Sequence, residues 1–291
     1  MTSFQKKALR FEIVLGVNRF GSSVNDTVIL QGLRAAVEIE NAGGAAGATL
    51  RARIYGVLQA DMNAITTLQF VPGDQMKNSI TVTAIDGTAE TQVYTGNIVN
   101  AWGDYQSMPD VFLHIQAITA LQQQIVTAPP TSLPGGADVA GIFKNLASAM
   151  GLTFENNGVT AKIQDPYLPG TFMAQARELQ QQTGVDMFID QSTLAITPKN
   201  TPRGGQIPLI SSATGMRGYP TFDGWGVDFI TLFNPAITWG GVVQVQSDIP
   251  RANGKWHVGM IKHRMESENP NGEWFSYVRA TSFGMGMKNG Q

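Results

Sequence analysis

Leu33-Arg34-Ala35-Ala36-Val37-Glu38-Ile39-Glu40 and Leu50-Arg51-Ala52-Arg53-Ile54-Tyr55, separated by Asn41-Ala42-Gly43-Gly44-Ala45-Ala46-Gly47, decide the fold class of this chain. Apolar and polar residues alternate in both runs, the period of a half-buried strand. The Gly- and Ala-rich stretch between them is a loop by composition. The two runs therefore predict a long hairpin with its charges on one side. One register sets Glu40 opposite Arg51 and Glu38 opposite Arg53, and opposite charges across a strand pair contribute about 0.2–1 kcal/mol each.

Outward from this hairpin the strands continue. Leu9, Phe11, Ile13 and Leu15 alternate with polar residues. Leu58, Met62, Ile65 and Leu68 have helical spacing and predict a short helix over 59–68, closed by Pro72-Gly73. Residues 80–85 are a strand, Asp86-Gly87 a hairpin turn, and 91–102 the return. Residues 111–117 form one more strand, running into Gln122-Gln123-Gln124.

The middle third changes character. Residues 127–136 are a Pro- and Gly-rich connection. Asp138 caps a helix with the apolar stripe Val139, Ile142, Phe143, Leu146 and Met150, stopped by Gly151. Residues 159–163 are a short strand and 166–170 a loop. Thr171 caps a second helix ending at Gly184, and a hairpin turns around Asp190-Gln191-Ser192. Residues 198–205 form a linker. Strands then return at 227–233, 242–246, 255–266 and 274–281, with Trp256, Val258 and Met260 on one face and a turn at Asn269-Pro270-Asn271-Gly272. No short internal repeat is visible. The expected fold is mainly β with an α+β insert, divided into 1–106, 107–200 and 201–291.

Composition narrows the function. Hydrophobic residues are 43% of the 291 and support a real core. Charged residues are only 14%, against roughly 25% in ordinary soluble proteins, so part of the surface is neutral polar or covered by partners. A net charge of -2 argues against a dedicated nucleic-acid binder. The absence of cysteine excludes disulfides, thiolate metal sites and cysteine nucleophiles. The N-terminus does not read as a signal peptide, and no apolar stretch reaches the roughly 20 residues of a membrane span.

Each motif that could carry chemistry also has a structural reading. Gly43-Gly44-x-x-Gly47 precedes a strand, whereas a phosphate loop needs a helix there. His257 and His263 lie six apart on one expected strand and share a face if there is no bulge. That spacing spans roughly 20 Å, too far for one metal. Glu266 and Glu268 nearby do not complete a site, and His114 stands alone. Asp186 and Asp190 sit at the two ends of one short strand and read as turn residues, not as a hydrolytic carboxylate pair. Trp225, Trp239, Trp256 and Trp274 crowd the last third and read as β core or interface. The expected catalytic, cofactor-binding and metal sites are therefore none.

A family pattern accompanies these elements. Ile207-Pro208-Leu209-Ile210-Ser211, Thr214-Gly215-Met216-Arg217-Gly218-Tyr219-Pro220, Thr231-Leu232-Phe233-Asn234-Pro235, residues 240–247 and the stretch 252–267 resemble, in this order, baseplate hub proteins of contractile-tailed bacteriophages. Tyr55-Gly56 with Asp61-Met62-Asn63, and Pro130-Thr131-Ser132 with residues 154–158, fit the same family. The resemblance covers nearly the whole chain and rests on packing and turn residues, so it carries over no active site.

The resemblance implies two tube-like β-barrel domains flanking a small α+β domain, as in the T-even hub and the spike-bearing proteins of type VI secretion. It implies a structural, non-enzymatic homotrimer that joins a sixfold tail tube protein to a threefold central spike protein. Other baseplate proteins would touch it, DNA would only pass through its channel, and it would not insert in a membrane. It would assemble in the host cytoplasm and reside in the virion. A tail-associated cell-wall hydrolase, a carbohydrate-binding β module and a tail tube protein are the alternatives.

Overall fold

The computed structural model describes residues 6–16, 26–41, 47–66, 78–106, 108–222, 224 and 226–282. The expected helix end at Leu68, the Pro72-Gly73 stop, the glycines at 43 and 44, and Trp225 lie outside them.

The first β unit comprises β1 (Lys7–Val14), β2 (Thr27–Gln31), β3 (Ala35–Asn41), β4 (Thr49–Tyr55), helix α1 (Gln59–Ile65), β5 (Ser79–Asp86), β6 (Ala89–Asp104) and β7 (Phe112–Ile118). Alternation drives the strands: β3 is buried at Ala35, Val37, Ile39 and Asn41 and half-buried between. Leu9, Phe11, Ile54, Ile80, Leu113 and their neighbours form one apolar cluster, to which Met265 and Trp274 from the far end of the chain also belong.

The insert begins where Ala120 turns left-handed (φ 56°) and ends β7. The run of glutamines expected to extend the strand instead forms α2 (Leu121–Ile125). Next come β8 (Thr131–Ser132), β9 (Gly136–Asp138), α3 (Val139–Ala149), β10 (Thr153–Asn156), β11 (Lys162–Gln164), β12 (Tyr167–Leu168), α4 (Phe172–Thr183), β13 (Asp186–Asp190) and β14 (Thr193–Thr197). Asp138 caps α3 by accepting the Gly141 N–H at 2.8 Å, and Thr171 caps α4 through the Ala174 N–H at 3.1 Å. Left-handed Gly184 closes α4. Both helices bury their apolar stripes in one cluster with Val185, Ile189, Leu194 and Ile196. The strand expected at 159–163 is displaced to β11, because the Asn156 side chain takes both the N–H and the carbonyl of Val159 and holds that segment as a turn.

The last unit contains β15 (Leu209–Ile210), β16 (Met216–Phe222), β17 (Gly226–Leu232), β18 (Val242–Val245), β19 (Gly254–Ser267) and β20 (Trp274–Thr281). A bulge between Val258 and Met260 breaks the alternation in β19. The buried positions pass from Val258 to Ile261 and Met265, so Trp256, Val258 and Met260 do not share one face as expected.

Both β units belong to a single 13-stranded sheet, whose main path runs β16-β17-β20-β19-β3-β4-β7-β6-β5-β1-β2. The chain is mainly β with an α+β insert, and the described strands form no closed barrel. The antiparallel seam between β19 and β3, from Ile261 opposite Asn41 to Ser267 opposite Ala35, joins the two units.

Their registers repeat. β4 faces β7 from Thr49 opposite Ile118 to Tyr55 opposite Phe112, and β17 faces β20 from Gly226 opposite Thr281 to Leu232 opposite Phe275. β6 meets β7 at Asn97 and Ile98, bulges, and resumes at Asn100; β19 meets β20 at His257 and Val258, bulges, and resumes at Met260. β5 lies along the first part of β6 as β18 lies along the first part of β19. β3-β4-β7-β6 and β16-β17-β20-β19 are therefore two copies of one strand arrangement. The sequence shows no repeat there because buried apolar identity is interchangeable: Ala52 answers to Phe229 and Leu113 to buried Ser276.

Candidate functional site

The sheet presents its apolar side to the core and a charged side outward. Glu38 lies opposite Arg51 on β4 and Arg264 on β19, so the expected register of the hairpin is off by two residues. Its partners come from the other β unit. Arg264 Nε donates to Glu38 Oε2 at 2.9 Å, and Lys262 Nζ lies 2.8 Å from Glu40 Oε2 and 3.4 Å from Glu38 Oε1. Partial burial opposes the charge of Glu38, but Arg264 and Lys262 more than offset this and hold its carboxyl below the usual range. The Glu40 bond raises Lys262.

On the same side, Glu38, Arg51, Arg53, Trp102, His114 and Arg264 line a groove of about 470 Å³. His114 stacks on Trp102, with ring centroids 4.6 Å apart and planes 18° apart. Burial, and then the nearby Arg53, push its imidazole below the ordinary value. The face thus mixes both signs and carries an aromatic stack.

A second polar cluster ties the insert to the last β unit. Arg203, only 8% exposed, reaches Glu155 at 2.8 Å and Asp190 at 3.2 Å, and donates to the Trp239 carbonyl at 3.4 Å. The Arg203 bond holds the Glu155 carboxyl below its usual range. Sequence reasoning passed over this arginine as part of a linker. The available signal was a lone cation at Pro202-Arg203-Gly204, with two acidic residues on the expected insert. Beside the cluster, where the three bodies meet, is a cavity of about 270 Å³ lined by Ile39, Tyr94, Asp190, Trp239, Ile261 and His263 among others.

The other candidates have structural partners. Gly47 (φ 72°) sits just before β4, with no helix after it. The β19 bulge separates the two histidines: His257 Nε2 is 3.0 Å from the Gly240 carbonyl, and His263 Nδ1 is 2.9 Å from Ser276 Oγ beside the Phe233 ring. Burial pushes His263 down to about 4. Glu266 accepts from Asn269, and Glu268 pairs with Lys6 at 2.5 Å. Asp186 accepts the Asn200 N–H at 2.7 Å, while Asp190 serves Arg203. Trp239 and Trp274 are buried, and Trp256 donates to the Ala252 carbonyl at 2.8 Å. Among the described residues no group of three His, Asp or Glu is placed to hold a metal ion, and no helix is long and apolar enough to cross a membrane.

Large apolar side chains are exposed near both limits of the repeated arrangement. Tyr219 (65%) and Phe222 (48%) stand on β16, an outer strand of the sheet, and Tyr105 (42%) and Met108 (77%) follow the end of β6. Exposed apolar residues on a strand edge favour pairing with another chain.

Solved structures share this fold across almost the full length. The tail protein from Neisseria meningitidis MC58 superposes with a TM-score of 0.61 at 11% identity, covering 95% of this chain and 97% of that one. The 43 kDa tail protein of prophage MuSo2 from Shewanella oneidensis gives 0.60 at 10%, covering 95% and 96%. The E. coli c3393 protein gives 0.54 at 8%, covering 87% and 74%. It is described as a type VI secretion component with structural similarity to the T4 bacteriophage tail proteins gp27 and gp5. No curated protein matches the chain by sequence. The model of the family described as Baseplate hub gp41 matches residues 47–276, most of the chain, from just before β4 to the start of β20. With a mainly β fold shared with phage tail proteins and a family model that matches most of its length, this chain belongs to the baseplate hub gp41 family, a structural family of the bacteriophage tail.

Proposed function

We propose that three copies of the chain form a ring that joins the sixfold tail tube to the threefold spike and leaves a channel for DNA. The observation that carries this reading is the register-matched pair of β units in one sheet. A subunit with two equivalent units offers six of them in a trimer, which matches a hexameric tube on one side and a trimeric spike on the other. The domain plan is two tube-like β domains around the α+β insert, near the boundaries 1–106, 107–200 and 201–291. Tube, spike and other baseplate proteins are its partners, assembly takes place in the host cytoplasm, and the role is mechanical, without an enzymatic step.

The charged side of β19-β3-β4-β7 suits a channel wall. Glu38 and Glu40 neutralise Lys262 and Arg264 locally, so on β3 and β19 passing DNA meets compensated charge, while Arg51 and Arg53 stand exposed on β4. Each phosphate neutralised would add to the affinity and slow transit.

Light scattering with electron-microscopic class averages tests the reading. A trimer of the 31.3 kDa chain weighs about 94 kDa and should show a central hole with six lobes. A ring of six chains would replace the hub with a tube protein. A compact monomer that turns over cell-wall polymer would replace it with a hydrolase.

A further inference from the structure

We propose that the ring closes by strand pairing between β16 of one copy and the final residues of β6 in the next, in the register that β3 and β19 use inside each chain. This rests on the ring reading above and adds its seam. The argument starts from the repeat. β3 and β16 occupy equivalent places, and so do β19 and β6. Within the chain, the equivalent of β6 already pairs with the equivalent of β16, at the seam of β19 with β3. Head-to-tail repetition of that seam is a heterologous contact, and such contacts generate rings when the rotation closes.

The equivalence fixes the register. Glu38 faces Arg51, and Thr221 faces Asp228 at the matching place on β17, so Thr221 answers to Glu38 and Phe222 to Ile39. Asp104 lies opposite Phe112, and Arg264 opposite Phe275, so Asp104 answers to Arg264 and Gly103 to His263. Arg264 faces Glu38, and His263 faces Ile39. Asp104 of one copy therefore faces Thr221 of the next, and Gly103 faces Phe222.

The residues suit this arrangement. Thr221 and Phe222 are exposed on an outer strand, which offers its backbone for β-augmentation. Gly103 contributes no side chain, and the Tyr105 ring lies over it. Phe222 would cover the glycine next to that ring, an aromatic cross-strand contact of the kind that stabilises sheets. Intrachain closure does not mimic the seam, since six strands separate β16 from β6 in the sheet.

The chain has no cysteine, so disulfide trapping reads the seam directly. Paired residues across antiparallel strands lie within the Cα separation a disulfide bridges. Full-length protein carrying Asp104→Cys and Thr221→Cys, mildly oxidised, should run on a non-reducing gel as two and three linked chains. A mixture of the two single variants should give linked pairs and nothing larger. Gly103→Cys with Phe222→Cys is a second pair in the same register, in case the first does not fold. If both double variants stay unlinked while scattering shows a trimer, the seam is overturned and the ring stands. If both are unlinked and scattering shows only monomer, both readings fall.

Discussion

Glu38 and Arg264 stand directly opposite each other across the β3–β19 seam, 226 residues apart in sequence, with Arg264 Nε 2.9 Å from Glu38 Oε2. The charges of the decisive hairpin are therefore matched to the other β unit, not within the hairpin. Lys262 opposite Glu40 extends the match by one step along the same face.

This pairing should be measurable and modest. Both side chains are partly exposed, so a double-mutant cycle with Glu38→Gln and Arg264→Gln should return a coupling of about 0.5–1 kcal/mol that shrinks as salt rises. Urea unfolding of the four proteins at low and high ionic strength measures it. A coupling of zero at low salt would leave the seam held by backbone pairing and apolar contact alone.

Arg203 is the opposite case, since its guanidinium is buried between Glu155 and Asp190. Removing the cation strands the carboxylates, so Arg203→Leu should cost about 3 kcal/mol or more, the size found for breaking a buried pair. Adding Glu155→Gln and Asp190→Asn to the same protein should recover part of the loss. Equal unfolding midpoints for wild type and Arg203→Leu would mean that the cluster is solvated and does not hold the insert in place.

Gly226 begins β17 where a Cβ would collide with the Ala280 carbonyl, and with Thr281 Cα at 2.9 Å, on the neighbouring strand. Nothing lies within 4 Å of a Cβ at Gly224. Gly226→Ala should therefore lose about 1–3 kcal/mol through backbone displacement, while Gly224→Ala stays within about 0.5 kcal/mol of wild type. Thermal melts of the two variants compare them, and equal melting temperatures would refute the steric reading.

Local periodicity carried most of the strands, because a half-buried strand imprints alternation on its own residues. The caps at Asp138 and Thr171 were legible for the same reason: the capping atoms lie within three residues of what they bond. Pairing between distant segments left no such local trace. The hairpin register slipped by two because Glu38 and Arg53 are each compatible with several partners, and the true partner of Glu38 lies on β19. The duplication stayed hidden because it is preserved in hydrogen-bond register and bulge position, while its side chains differ: Arg51 corresponds to Asp228, and Trp102 to Lys262. Arg203 was missed because a linker composition says nothing of what folds over it.

His263 supplies the test of how tightly the two β units close on each other. Its imidazole sits where the first unit, the insert and the last unit meet, held by Ser276 Oγ and facing the Phe233 ring. Burial lowers its pKa from 6.5 to about 4, so the folded protein keeps it neutral where the unfolded chain binds a proton. Between these two values the unfolded state holds more protons, and stability must fall as pH drops from 6.5 toward 4, then level off. The loss from this one group is at most about 3 kcal/mol. His263→Gln keeps a hydrogen-bonding side chain that does not titrate. It should be less stable than wild type at pH 7 and should lose that disadvantage progressively toward pH 4. Urea unfolding of both proteins at several pH values measures the difference, to which His114 and His257 contribute equally in both. Parallel stability curves over this range would mean that His263 is hydrated in solution, and that the junction is open to water.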